Sequence, residues 1–118
     1  MPLNTEDPLG SFSFNQPQLF NFSLPDDVPK DTREILLFVF LDIGWSKPSR
    51  CSFIKVFTKV DGTHHSHYIA MHTYEQNSFS TNSDNVWLPM GSDRKVYVDV
   101  PHKFECGTEG SVYLIGHR

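Results

Sequence analysis

The run Ile35-Leu36-Leu37-Phe38-Val39-Phe40-Leu41 constrains this chain most, because all seven positions are apolar. Seven residues suit a strand; a helix of ordinary size is longer, and a bilayer span needs roughly 20 apolar residues. Aromatic and β-branched side chains make up much of the run, and these fit a pleated surface better than a helical one. A run that is apolar throughout, rather than alternating, is the pattern of a central strand covered on both faces.

Elsewhere the apolar positions alternate with the period of two that marks a half-buried strand. Phe20, Phe22 and Leu24 stand opposite Asn21 and Ser23, and Ile54, Val56 and Val60 stand opposite Phe53, Lys55, Phe57 and Lys59. Val96, Val98 and Val100 oppose Tyr97 and Asp99, and the segments His65–Tyr74 and Ser111–His117 continue the pattern. Between two of these runs lies Asp61-Gly62, the chemistry of a tight hairpin turn, since glycine accepts the positive φ such turns require. Pro25, Pro29, Pro48, Pro89 and Pro101 fall between runs, where a missing N–H harms no ladder. No segment carries helical spacing over a helix length, and no internal repeat is present. Roughly six to eight strands at intervals of about 10 to 15 residues predict an all-β fold, an antiparallel β-sandwich or jelly roll.

A chain of 118 residues sustains one hydrophobic core, hence a single domain. Residues 1–18 read as a flexible N-terminal arm, polar and Pro/Gly-containing at its start, and residues 19–118 as the sandwich. Ten Phe, four Tyr and two Trp supply large core side chains. The aromatic residues near the start, Phe12, Phe14, Phe20 and Phe22, either cover a core edge or lie between subunits.

The formal charge is −4 and the ten Lys and Arg never form a run. Gripping a phosphate backbone needs a basic stripe, so nucleic acid is not an expected partner. No membrane span is expected either. The first residues lack the basic and apolar regions of a signal peptide, which leaves an intracellular protein or a mature chain whose leader has been removed. Cys51 and Cys106 are either a disulfide or two free thiols, and Asn21-Phe22-Ser23 matches the N-glycosylation acceptor pattern. Together these features favour a secreted, extracellular setting.

Four histidines, His64, His65, His67 and His72, fall within ten residues. On a strand His65 and His67 share a face, the spacing a metal site on a sheet would use, whereas His72 falls on the opposite face. Gly62 ahead of His65-Ser66-His67, with Pro89-Met90-Gly91 downstream, resembles the two motifs of the cupins, which are jelly rolls. That resemblance implies a metal-binding protein or enzyme using His65 and His67. The chain departs from the cupin pattern in two respects: the first carboxylate, Glu75, comes eight residues after the pair, and no histidine follows Gly91 at the required distance. A catalytic metal normally takes three protein ligands and an open position.

No nucleophile elbow, glycine-rich phosphate loop or His-Glu-x-x-His motif is present, so a non-catalytic protein without a cofactor is expected. The stretch from Glu75 to Trp87 reads as a long polar loop dense in amides and hydroxyls around Phe79 and Trp87. Short donor-and-acceptor side chains match sugar hydroxyls and aromatic rings match their C–H faces, which makes Asn77, Asn82, Asp84, Asn85 and Trp87 the candidate site for a glycan or protein ligand. The same residue types also build turns by bonding their own backbone. Over Phe20 to Arg118, the lead-in Leu24-Pro25-Asp26-Asp27-Val28-Pro29, the buried strand, the Asn82–Met90 segment and the closing Ser111–Arg118 resemble the C1q/TNF-like jelly-roll heads of collagen-like and fibre-type trimeric proteins. That resemblance implies a homotrimer packed through aromatic faces, with outer loops that recognise a ligand.

Overall fold

A computed structural model describes residues 7–13, 17–45, 50–73, 78–101 and 107–118. Its eight strands are β1 (Gly10–Ser13), β2 (Gln18–Ser23), β3 (Glu34–Trp45), β4 (Arg50–Val60), β5 (Thr63–Thr73), β6 (Ser78–Pro89), β7 (Lys95–Val100) and β8 (Gly107–His117). No helix occurs among the described residues. Two four-stranded antiparallel sheets form, ordered β1-β8-β3-β6 and β2-β7-β4-β5. Successive strands cross from one sheet to the other except at β4–β5, which gives the strand order of a jelly roll.

The β4–β5 hairpin closes where the turn chemistry demands it. Val60 pairs with Thr63 across Asp61 at φ 49° and Gly62 at φ 84°, both in the left-handed region that a type I′ turn uses. From there the ladder runs without a register shift to Arg50↔Thr73. Positions 65 and 67 are therefore in phase and position 72 is out of phase with them.

Alternation places the core between the sheets. The first sheet contributes Phe12, Ile35, Leu37, Val39, Leu41, Leu88, Val112 and Leu114, and the second Ile54, Val56, Ile69, Val96, Val98 and Val100, all buried. Leu24 and Val28, on the connection from β2 to β3, close one end. Phe12 lies 5.9 Å from Phe20, centroid to centroid, across the two sheets. Its ring also lies over Gly110, where an added Cβ would collide with Phe12 Cζ, so this close approach requires glycine. β1 and the start of β2 fall inside the stretch 1–18 that composition reads as an arm: Phe12 is core, and Gly10–Ser13 pair with β8.

Two features differ from expectation. The alternating outer positions of β3, namely Leu36, Phe38 and Phe40, are only half-buried or exposed, so the run is covered on one face within this chain. A two-layer sandwich has nothing to lay over that side. The polar stretch before Trp87 forms, over Ser78–Pro89, a twelve-residue strand rather than a loop. It pairs along its length with β3, from Glu34↔Pro89 to Trp45↔Ser78. A long ladder offered by a strong neighbouring strand outweighs the turn preference of Asn, Ser and Asp, and an edge position tolerates their polarity.

Candidate functional site

Strand β6 separates the residues predicted to act together. Register and burial turn Asn82, Asp84, Val86 and Leu88 toward the second sheet and Ser83, Asn85 and Trp87 outward. The five candidate ligand residues are split: Asn85 and Trp87 share the outward face, Asn82 and Asp84 the inward one, and Asn77 lies outside the described residues. Trp87 pairs across from Leu36 and its ring extends toward Gly116. The guanidinium of Arg118 sits 4.0 Å from the ring centroid and its Nε donates to Glu34 Oε1 at 2.9 Å.

Asp84 instead meets one of the candidate metal ligands. His67, on the core-facing side of β5, approaches it from the other sheet, Nε2 to Oδ2 at 2.7 Å. This pair spans the free edges of both sheets, and its side chains are 33% and 45% exposed. His65 lies on the same side of β5, opposite Thr58, and is exposed. His64 points the other way and stacks on Phe57, with centroids 4.6 Å apart. Among the described residues no group of three or more His, Cys, Asp and Glu is placed to hold a metal ion. Glu75 and Cys106 lie outside the described residues, and with them the Glu75 carboxylate and the disulfide alternative for Cys51 that the sequence raised.

The outer face of the first sheet carries a second feature. Leu36, Phe38 and Phe40 on β3 stand beside Tyr113 and Ile115 on β8, with Phe38 and Tyr113 tilted at 5.9 Å. A groove of about 330 Å³ runs between Phe38, Phe40, Tyr113 and Ile115. Around it are neutral hydroxyl and amide groups: Ser11 bonded to Ser111 at 3.2 Å, Ser83 and Asn85. Charge is confined to the ends, with Asp42 opposite Glu109 at one and the Glu34–Arg118 pair at the other. Sequence reasoning placed the β3 side chains in a fully covered strand; the signal for an exposed patch was the same unbroken run.

The outer face of the second sheet is built differently. Phe57 is stacked between His64 and Tyr97, with Lys55 Nζ 4.7 Å from the Phe57 centroid and Lys59 Nζ 4.3 Å from that of Tyr97. Phe57 is covered there by its own neighbours, whereas Phe53 and Tyr68 on the same face remain exposed at 50% and 61%. Tyr97 donates its hydroxyl proton to Asp93, which raises the phenol above its ordinary value; burial and the carboxylate's charge add to the shift.

No protein-family model matches this chain, and no curated protein matches it at a significant level.

Proposed function

We propose that this protein is a non-catalytic extracellular recognition and assembly module that forms a homo-oligomer through the outer face of its β1-β8-β3-β6 sheet. One observation carries the reading: β3 has the composition of a strand covered on both faces, yet only one face is covered within the chain. The patch is aromatic at its centre and neutral at its rim. A molecule of net charge −4 can bring two such patches together without opposing like charges across the middle. Grooved aromatic surfaces of this kind are where interfaces concentrate their binding energy. The resemblance to trimeric C1q/TNF-like heads favours three copies. The extracellular setting is supported by the acceptor triplet, whose Asn21 is exposed on β2.

Native mass spectrometry of the intact chain at micromolar concentration tests the reading. A discrete oligomer is expected, and Phe38→Ser with Phe40→Ser should convert it to monomer with an unchanged far-ultraviolet circular dichroism spectrum. A wild-type protein that stays monomeric throughout that range refutes the assembly role.

Glycan recognition is a second reading, favoured by Asn85 and the Trp87–Arg118 pair standing together on the outward side of β6. A glycan array probed with wild type and Trp87→Ala separates the two readings: binding lost in the variant supports the glycan site, and no binding by wild type removes it.

A further inference from the structure

A second concave site lies away from the assembly face, at the end of the sandwich where the β2–β3 and β6–β7 connections meet the end of β4. Its volume is about 510 Å³, within the roughly 300–1,000 Å³ range of small-molecule sites. Lys30, Arg33 and Arg94 all line it, and among the described residues no carboxylate does. Among the described residues none of these three cations forms an ion pair with a carboxylate. Three of the ten Lys and Arg of a net-acidic chain thus converge on one cleft with no counterion among the described residues.

The walls are held in place from several directions. Arg94, itself at φ 57°, donates through Nη2 to the carbonyls of Pro25 at 3.1 Å and Val28 at 2.9 Å, which ties one connection to the other. Met90 N–H donates to the Arg33 carbonyl at 2.8 Å, and Ser92 N–H to that of Lys59 at 2.9 Å. Ser92 Oγ accepts from Asp61 N–H at 3.0 Å, which links the cleft to the β4–β5 turn. Two neighbouring carboxylates are engaged elsewhere: Asp93 holds Tyr97 and the Lys95 N–H, and Asp61 accepts from Ser92. In the wall stands Thr32, nine-tenths buried, whose Oγ1 has no hydrogen-bond partner. An unmatched buried hydroxyl is costly, and at the wall of a cleft beside three cations this donor is placed for a ligand that accepts from it.

From this geometry we infer that the end cleft binds a small organic molecule through an oxyanion, a sulfate, phosphate or carboxylate group, held by Lys30, Arg33 and Arg94 and reached by the Thr32 hydroxyl. Guanidinium groups match the paired oxygens of such anions, and the lysine adds a point charge. Val60 and Met90 supply an apolar wall for the body that carries the anion, and the volume exceeds what a bare ion needs.

Amide NMR titrations of the intact chain test this at constant ionic strength, with inorganic sulfate, inorganic phosphate, glucose sulfate ester, glucose phosphate ester and glucose as probes. Saturable shifts are expected at Thr32, Arg33, Gly91 and Ser92 with the anionic probes and not with glucose. Saturation by the inorganic ions shows that the oxyanion alone suffices, and saturation by the esters only shows that the apolar wall contributes; both uphold the site. Lys30→Gln and Arg33→Gln, both at exposed positions, should each weaken binding about tenfold with spectral dispersion retained, and Thr32→Val should weaken it less. Glucose binding as tightly as its esters, the absence of saturation with every anion, or unchanged affinity in the double Lys30→Gln, Arg33→Gln variant overturns the proposal.

Discussion

Single residues show where local chemistry is satisfied and where it is not. Thr58 sits on the core face of β4, fully buried, with no partner for Oγ1. Thr58→Val keeps the shape and removes the unmatched hydroxyl, so it should stabilise the protein by about 1–3 kcal/mol, read from the urea midpoint. A destabilised variant would mean that the hydroxyl is bonded after all. Tyr97 makes a pH prediction. Its hydrogen bond to Asp93 favours the protonated phenol in the folded state, so the folded pKa lies above the unfolded value of about 10. The stabilisation is therefore complete below about pH 10 and disappears as pH rises through the folded value. In an ultraviolet absorbance titration Asp93→Asn should bring this tyrosine back toward the ordinary range, and Tyr97→Phe should delete the late-titrating step. Of these contacts the sequence revealed only that Tyr97 faces outward; the Asp93 partnership depends on how the β6–β7 turn is folded.

At the level of elements, β3 divides into two faces with different consequences. Leu37→Ala removes a fully buried side chain from the core and should cost about 2–5 kcal/mol in chemical denaturation. Phe38→Ala, one residue away on the outer face, should cost the isolated subunit about 1 kcal/mol or less while weakening self-association. Equal losses at the two positions would show that the outer face is covered within the chain. Alternation was readable wherever one face is wet, as in Val96, Val98 and Val100 against Tyr97 and Asp99. The hairpin at Asp61-Gly62 was readable too, because its two left-handed residues are a local requirement. Strand β6 was not. Its Asn, Ser and Asp residues carry turn preferences of their own, and only the β3 ladder, distant in sequence, makes them extended.

Across the whole molecule, the free edges of the two sheets are tied where His67 of β5 reaches Asp84 of β6. Both side chains are a third or more exposed, so solvent screens the pair. A double-mutant cycle with His67→Ala and Asp84→Ala should give a coupling of about 0.2–1 kcal/mol at low salt, smaller at high salt. A much larger coupling would indicate that the edge closes more tightly than this exposure allows. The same pair shows how far the candidate site was legible: composition singled out both residues, one for a metal and one for a ligand, and the fold spends them on each other. The sequence alone determined the all-β class, the facing of the alternating strands and the one local hairpin, since each follows from neighbours two to four residues apart. Tertiary structure decided the jelly-roll order, the conversion of the Asn-rich stretch into an edge strand, the bare outer face of β3 and the convergence of Lys30, Arg33 and Arg94. These depend on pairings between residues dozens of positions apart, which no local pattern encodes.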